Sequence, residues 1–430
     1  HLERMMDIVA GRLGLDKAEI RFRNFIKPEQ MPYTTAFGCI YDGGDYPTAL
    51  RKALEKIEYW KMREEQRRAR EEGRYLGIGV SAIVEPSATT AAVTALWGSP
   101  IYRKYASTTE AASIKIHPTG RVTVALGTVP QGQGHETVAA QIVADQLGIP
   151  PEDIEVLPGF DSHTHPFGGE SGTYASRFAV VGTGALVGAA TRLKEKILKI
   201  AAHQLEARPE DLEIDNGRIY VKDSPERYIT LKEVARASYH QLGMLPKDME
   251  PSLEESYTYM FPYAGVADEK LRANYSAAYA YLAGALVVEV DVDTGSVYLR
   301  RLVVVHDAGT VINPLILEGQ VHGAIAHGLG GVVYEEHAYD ENTGQPLAIT
   351  FADYLVPTAV EIPKMEIEHM ETPSTFSVLG SKGSGEGASI LMPALLANAV
   401  DDALEPLGVK ITSTPLSNEN IWREIKKAKK

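Results

Sequence analysis

The chain has one cysteine, Cys39, in 430 residues. A single thiol excludes an intrachain disulfide framework. It equally excludes an iron–sulfur cluster or a cysteine-type zinc site held by this chain alone. Positive charge is scarce as well: 43 Lys and Arg stand against 57 Asp and Glu, a formal net charge of -14. Nucleic-acid binding needs clustered cations that displace counterions from phosphate, so no nucleic-acid partner is expected. The basic run Lys426, Lys427, Lys429 and Lys430 reads as a solvated tail. No apolar run approaches the roughly 18–20 residues of a membrane span, and no signal-like segment opens the chain. A cytoplasmic protein without a membrane span is the expectation.

What is present is ordinary for a globular protein, 44% hydrophobic and 23% charged, with length for two or three cores. The pattern is helical from the start, with Leu2, Met5, Met6, Val9 and Leu13 at three-to-four spacing before Gly14. This reads as a piece that begins inside a longer or split subunit. A second helix is expected from Asp16 to about Asn24, then a loop carrying Pro28 and Pro32, then one charged helix over 47–72. The Arg and Glu residues of 63–73 read as its solvated end. A buried strand follows over 77–84. Later come a long helix over about 178–207, a strand pair around Asn216-Gly217 and a helix from Thr230. Residues 246–280 read as irregular and tyrosine-rich, with most of Tyr257, Tyr259, Tyr263, Tyr275, Tyr279 and the adjoining Tyr281 as packing or loop residues.

Two hairpins share one arrangement. Residues 113–116 and 121–125 alternate across a turn ending in Gly120, and residues 286–290 and 296–300 repeat this across Gly295. After each comes a loop with Gly and Asn or Gln, then a helix bearing a histidine. The fold class expected is α+β, mixed β-sheets with packed helices, built from two similar β-rich units that place their loops about one ligand.

Chemistry is concentrated in glycine-rich loops where strands hand over to helices. Residues 127–140 contain Gln131, Gly132, Gln133 and Gly134 before a helix opening at His135, so unpaired backbone N–H groups lie open to an anionic ligand. A glycine-rich connection with no ligand is the plainer meaning. Residues 168–177 make a second small-residue loop, and residues 307–314 a third. In the fourth, residues 380–389, Glu386 stands among small residues beside a helix start. Partly desolvated there it suits a general base, and a first-turn acid answering the helix dipole is the alternative. The P-loop order is missing. His135-Glu136 lacks the second histidine of a zinc protease, and Glu318 with His322 has no third donor nearby.

Taken in order, Gln131–Thr137, Gly172–Arg177, Asp307–Pro314 with Glu318–Gly323, and Lys382–Glu386 closely resemble the molybdenum-cofactor-binding subunit of the xanthine dehydrogenase and aldehyde oxidase family. The nearest likeness is to the aerobic carbon monoxide dehydrogenase type, which shares a stretch like Asn24–Gln30. The resemblance implies molybdenum held by the dithiolene of a molybdopterin, often as the cytosine dinucleotide, with no protein side chain on the metal. By matching position it implies cofactor contacts from Gln131, Gly132, Gln133, Gly134, His135, Glu136 and Thr137, and from Tyr174, Ala175, Ser176 and Arg177. Further contacts would come from Asp307, Ala308, Thr310, Ile312 and Asn313, and from Lys382, Gly383, Ser384 and Gly385. Glu386 matches the family's base. It would take the proton of a metal-bound hydroxide that attacks an aldehyde or N-heterocycle, while hydride passes to a sulfido ligand. The small-molecule substrate's electrons would leave through iron–sulfur and FAD subunits, neither group being held by this chain. Residues 1–75 would end a first cofactor-binding domain and 76–430 form a second, with another chain carrying the missing N-terminal half. Cys39 is not at the position of the copper-binding cysteine of carbon monoxide dehydrogenases, and the residues after Glu386 differ from theirs. The first leaves the substrate class open and the second favours an aldehyde- or heterocycle-oxidising relative; a Mo-Cu carbon monoxide dehydrogenase or a non-catalytic cofactor-binding or assembly protein is the alternative.

Overall fold

A computed structural model describes residues 1–90, 92–93, 96, 98, 108–168, 172–263 and 265–428. Of the second glycine-rich loop, Gly169, Glu170 and Ser171 lie outside the described residues, as do Lys429 and Lys430 of the basic run.

The chain opens with α1 (Leu2–Leu13) and α2 (Lys17–Asn24), parted at Gly14 in the left-handed region, φ 64. Asp16 caps α2 by accepting from the N–H groups of Ala18 and Glu19. A small ribbon, β1 (Tyr33–Thr34) and β2 (Ile40–Tyr41), leads to α3 (Tyr46–Lys56) and α4 (Tyr59–Glu71). The single helix expected over 47–72 is therefore two. Successive helical residues point about 100° apart, so a straight helix cannot send Ile57 and Tyr59 to one side. Turning the chain at Glu58, φ 56, buries both. The Arg and Glu run is not wholly solvated either: Arg63 pairs with buried Asp402 at 2.8 Å. Burial works against that carboxylate, but Lys17 and Arg63, with the Ile78 N–H, hold it down to about 2.

After β3 (Tyr75–Thr89) comes the first β-rich unit. It runs β4 (Thr109–Ile116), β5 (Val122–Leu126), α5 (His135–Leu147), β6 (Ile154–Leu157) and α6 (Val181–Leu205). A three-stranded sheet, β7 (Leu212–Asp215), β8 (Arg218–Val221) and β9 (Ser224–Thr230), and α7 (Leu231–His240) follow. Then comes β10 (Glu254–Met260). The second unit runs β11 (Ser276–Val290), β12 (Val297–Asp307), α8 (Pro314–Val333), β13 (Met365–Met370) and α9 (Gly387–Leu404), with α10 (Asn418–Ala428) at the end.

The two four-stranded sheets have the orders β10-β4-β5-β6 and β3-β11-β12-β13. In each, an antiparallel pair is followed by a crossover helix and a strand parallel to the second member, with Val122 opposite Ile154 in one and Leu302 opposite Met365 in the other. The repeat expected from the hairpins is the architecture itself. One apolar core joins the first sheet to α5 and α6, and another joins the second sheet to α8, α9 and α10. A third, built on Leu50, Ile57, Tyr59 and Tyr281, packs α3 and α4 on the opposite face of the second sheet.

Residues 246–280 are not irregular throughout, since β10 and the start of β11 lie there. Along β10 alternate residues are half-buried, and the rings of Tyr257 and Tyr259 lie on α6. A Cβ on Gly188 would stand 2.1 Å from Tyr257, and one on Gly184 2.7 Å from Tyr259. The small residues of α6 are what admit two tyrosines that hide the strand's alternation.

Candidate functional site

A cavity of about 390 Å³ opens where four loops meet, two from each unit. The β5–α5 and β12–α8 loops face each other, and so do the loops preceding α6 and α9. Each pair interlocks. Gly134 has φ 77 and a Cβ there would lie 2.7 Å from Ile316 Cδ1, so glycine admits the other unit's side chain. Asn313 caps α8 at the Ile316 N–H and its amide donates to Gln141 of α5 at 2.7 Å. In the second pair, a Cβ on Gly383 would stand 2.2 Å from Ser176 Cβ. Ser176 Oγ accepts from the Gly385 N–H at 3.1 Å, and Ser381 Oγ donates to the Ala179 carbonyl at 2.5 Å.

The wall brings together many of the residues singled out in the sequence. Gln131, Gly132, Gln133, His135, Tyr174, Ser176, Ala308, Thr310, Ile312, Asn313 and Lys382 to Glu386 all line the cavity. Gly134, Glu136, Thr137, Ala175, Arg177 and Asp307 stand outside this lining. Glu136 and Thr137 turn outward on α5. Ala175 and Ser176 both have φ 47, a conformation non-glycine residues adopt only where neighbours hold them. The Ala175 carbonyl accepts from the Ala88 N–H at 2.7 Å.

Arg177 and Asp307 work beneath the floor. Arg177 and Glu110 form an ion pair at 2.7 Å with neither side chain exposed, and Glu110 also accepts from the Thr128 hydroxyl. Lys382 Nζ meets Asp307 Oδ1 at 3.2 Å and Thr372 Oγ1 at 3.0 Å, so its charge is spent below the loop and the cavity meets the backbone side of the residue. Burial raises the Asp307 carboxyl above its ordinary value, with Lys382 and the Gly309 N–H pulling the other way.

His135 stacks on Phe178 with ring centroids 4.0 Å apart. Burial alone pushes its imidazole down to about 4, so it stands neutral at physiological pH. Glu386, at the start of α9, is exposed at the cavity mouth rather than desolvated within this chain. Its backbone N–H donates to Glu85 Oε1 at 3.1 Å. Gln320, from the Glu318–Gly323 motif, lines the cavity as well, whereas Glu85, Phe178 and Ile316, which also line or support it, carry no signal in the sequence. Glu318, exposed, and His322, half-buried, stand 3.6 Å apart on α8 and do not enter the lining.

Residues 52–363 match the family described as molybdopterin cofactor-binding domain. The chain belongs to that family. It is 38% identical over 429 residues to the carbon monoxide dehydrogenase large chain of Hydrogenophaga pseudoflava, covering 99% of this chain and 50% of that protein. It is 35% identical to the nicotine 6-hydroxylase large subunit of Paenarthrobacter nicotinovorans, covering 99% of this chain and 49% of the relative. Its backbone matches the quinoline 2-oxidoreductase structure from Pseudomonas putida 86 with a TM-score of 0.85 at 36% identity, over 99% of this chain and 51% of that one. The chain thus spans about half the length of the curated relatives it matches.

The site's chemistry fits a molybdopterin. The lining is supplied by amides and hydroxyls, Gln131, Gln133, Thr310, Asn313, Gln320 and Ser384, and by the backbone of glycine-rich loops. Helix α5 starts there with no side-chain cap on its first N–H groups, a setting for an anionic group. No group of three or more His, Cys, Asp or Glu that could hold a metal ion occurs among the described residues. The donors fit a metal brought by its own organic ligand.

Proposed function

We propose that this chain is the cofactor-bearing part of a molybdenum hydroxylase large subunit that oxidises an aldehyde or an N-heterocycle. The observation that carries the reading is the meeting of four loops around one neutral, amide-rich cavity with a single carboxylate among the described residues, Glu386, at its mouth. Gln131 to Gln133 and Thr310 to Asn313 would grip the cofactor from opposite units, and Ser176 and Gly383 to Gly385 would form the remaining wall. The neutral His135 ring and Phe178 would close the apolar side. The cofactor, when bound, supplies the two-electron redox centre. Glu386 holds its carboxylate free to accept a proton as the substrate carbon is oxidised, an action worth typically 10²–10⁴ in rate.

The proposal extends to organisation. Residues 1–75 end one cofactor-binding domain and 76–430 form a second. Coverage of about half of each relative supports a further segment or chain that completes the subunit. Relatives named as large chains or subunits support partner subunits, here an iron–sulfur and an FAD subunit, the one cysteine leaving those groups to them. The cofactor is read as molybdopterin cytosine dinucleotide or molybdopterin.

A second reading, a carbon monoxide dehydrogenase with copper beside molybdenum, is favoured by the 38% identity to such a large chain. Cys39 does not line the cavity, so copper would need a thiol from elsewhere. Elemental analysis of the natively purified assembly decides. Molybdenum without copper, with turnover of quinoline or an aromatic aldehyde, supports the hydroxylase. Equal molybdenum and copper with turnover of carbon monoxide supports the second reading. An intact assembly without molybdenum overturns both and leaves a cofactor-binding or assembly protein.

A further inference from the structure

Glu85 lies on β3 with no exposed surface. Four other buried acids are answered by cations, Glu110 by Arg177, Asp307 by Lys382, Asp402 by Lys17 and Arg63, and Asp7 by Arg21, whereas buried Asp42 is held by the Ser374 hydroxyl and the Thr375 N–H. Among the described residues no Lys, Arg or His forms an ion pair with Glu85. Its Oε1 instead accepts from the Glu386 N–H and from the Ser176 hydroxyl, each at 3.1 Å. Ser176 Oγ in turn accepts from the Gly385 N–H at 3.1 Å. Oε2 completes no hydrogen bond and fills the space beside Gly387, where a Cβ would come within 2.4 Å of it. The Gly-Glu-Gly stretch at 385–387 is thus moulded on a buried carboxyl that belongs to another sheet strand.

Such a placement is costly. Burying an unpaired carboxylate carries a penalty that nearby N–H groups offset only in part. Burial pushes the Glu85 carboxyl up to about 7, against the Glu386 N–H and the Ser176 hydroxyl, which pull it down. An apolar residue would pack there more cheaply. What it could not do is fix two successive backbone N–H groups, at 385 and 386, ahead of a helix whose own first turn has no side-chain cap.

We propose that Glu85 is the positioning residue for Glu386: directly at the Glu386 N–H, and through Ser176 at Gly385, it sets the backbone from which the base reaches the cavity. This inference rests on the reading of Glu386 as the base. A base aimed by its backbone loses rate when the loop drifts, because a misplacement on the order of 1 Å costs about 100-fold.

The test compares E85M, which fills the volume without an acceptor, and E85Q, which keeps one acceptor oxygen, with wild type in the molybdenum-loaded assembly. Two readouts are taken. Amide hydrogen exchange is followed over residues 383–387, and kcat and KM are measured with whichever of quinoline, benzaldehyde or carbon monoxide wild type turns over. E85M is expected to exchange at least about 10-fold faster in this loop and to lose at least about 10-fold in kcat, with KM within about 2-fold and molybdenum retained. E85Q should restore both to within about 3-fold of wild type. Wild-type exchange and kcat in E85M overturn the proposal. So does joint loss of molybdenum, KM and kcat in both variants, which marks a structural role only. Should E85M fail to assemble, S176A, which removes the link to Gly385, must speed exchange at Gly385, and unchanged exchange there overturns the proposal. A wild-type assembly without molybdenum would sink the functional reading alone, because the exchange comparison stands without turnover.

Discussion

Lys382 Nζ and Asp307 Oδ1 stand 3.2 Å apart in the floor of the cavity, and neither side chain meets solvent. A buried pair is worth little against a well-packed apolar pair, yet breaking one side strands a charge. K382M is therefore expected to lower stability by about 3–5 kcal/mol. The double variant K382M/D307N should recover most of it, since an Asn oxygen can still accept from the Gly309 N–H as Asp307 does. Urea unfolding midpoints of the single and double variants check this.

E386Q is isosteric and leaves the Glu386 backbone, and so the bond to Glu85, in place. It should keep molybdenum at the wild-type ratio and lose about 10²–10⁴ in kcat. Metal analysis and steady-state turnover on one preparation give both numbers, and retained activity would sink the assignment of the base.

Interlocking of the units can be tested at Gly383, where a methyl would lie 2.2 Å from Ser176 Cβ. Overpacking of this kind costs about 1–3 kcal/mol. G383A should lower Tm and molybdenum content together. Adding S176G removes the nearest obstacle and should recover part of the Tm, though not all, because Ser87 Oγ would remain 2.8 Å away.

His135 gives a pH signature. Its folded value, about 4, lies below the ordinary 6.5, so between these pH values the unfolded chain binds a proton that the folded chain refuses. Stability tied to this residue is complete above pH 6.5 and drains away as pH falls toward 4, by about 1.4 kcal/mol per pH unit. H135F removes that linkage while keeping a ring against Phe178. Relative to wild type it should gain stability steadily in unfolding series taken from pH 7 down to pH 4.5. A pH-independent difference would contradict the burial of a neutral imidazole.

Much of the site is legible in sequence because its chemistry lives in loops with unusual composition. Gln131-Gly132-Gln133-Gly134 and Gly383-Ser384-Gly385-Glu386 stand out against any strand or helix pattern. The supporting acids do not. Glu85 and Glu110 sit in strands where one polar residue looks like an outward position, and only the loops that fold onto them turn those positions inward. Nor do residues such as Arg177 and Lys382 disclose whether they face a ligand or an acid below. That depends on partners far away in sequence. The break at Glu58 was hidden for a like reason, since nothing local forbids a helix there and the demand comes from burying Ile57 and Tyr59 on a sheet made later.

The strand β3 precedes the first unit in the chain yet is hydrogen-bonded into the sheet of the second, where Tyr281 of β11 lies opposite Val84. On a ribosome it emerges early and must wait while the whole first unit is made before its partner strand appears. Pairings so distant in sequence close slowly, and an unpaired apolar strand is exposed to wrong partners in the meantime. The carboxyl of Glu85 travels on that waiting strand, so the contact that supports the Glu386 loop joins residues made about 300 positions apart.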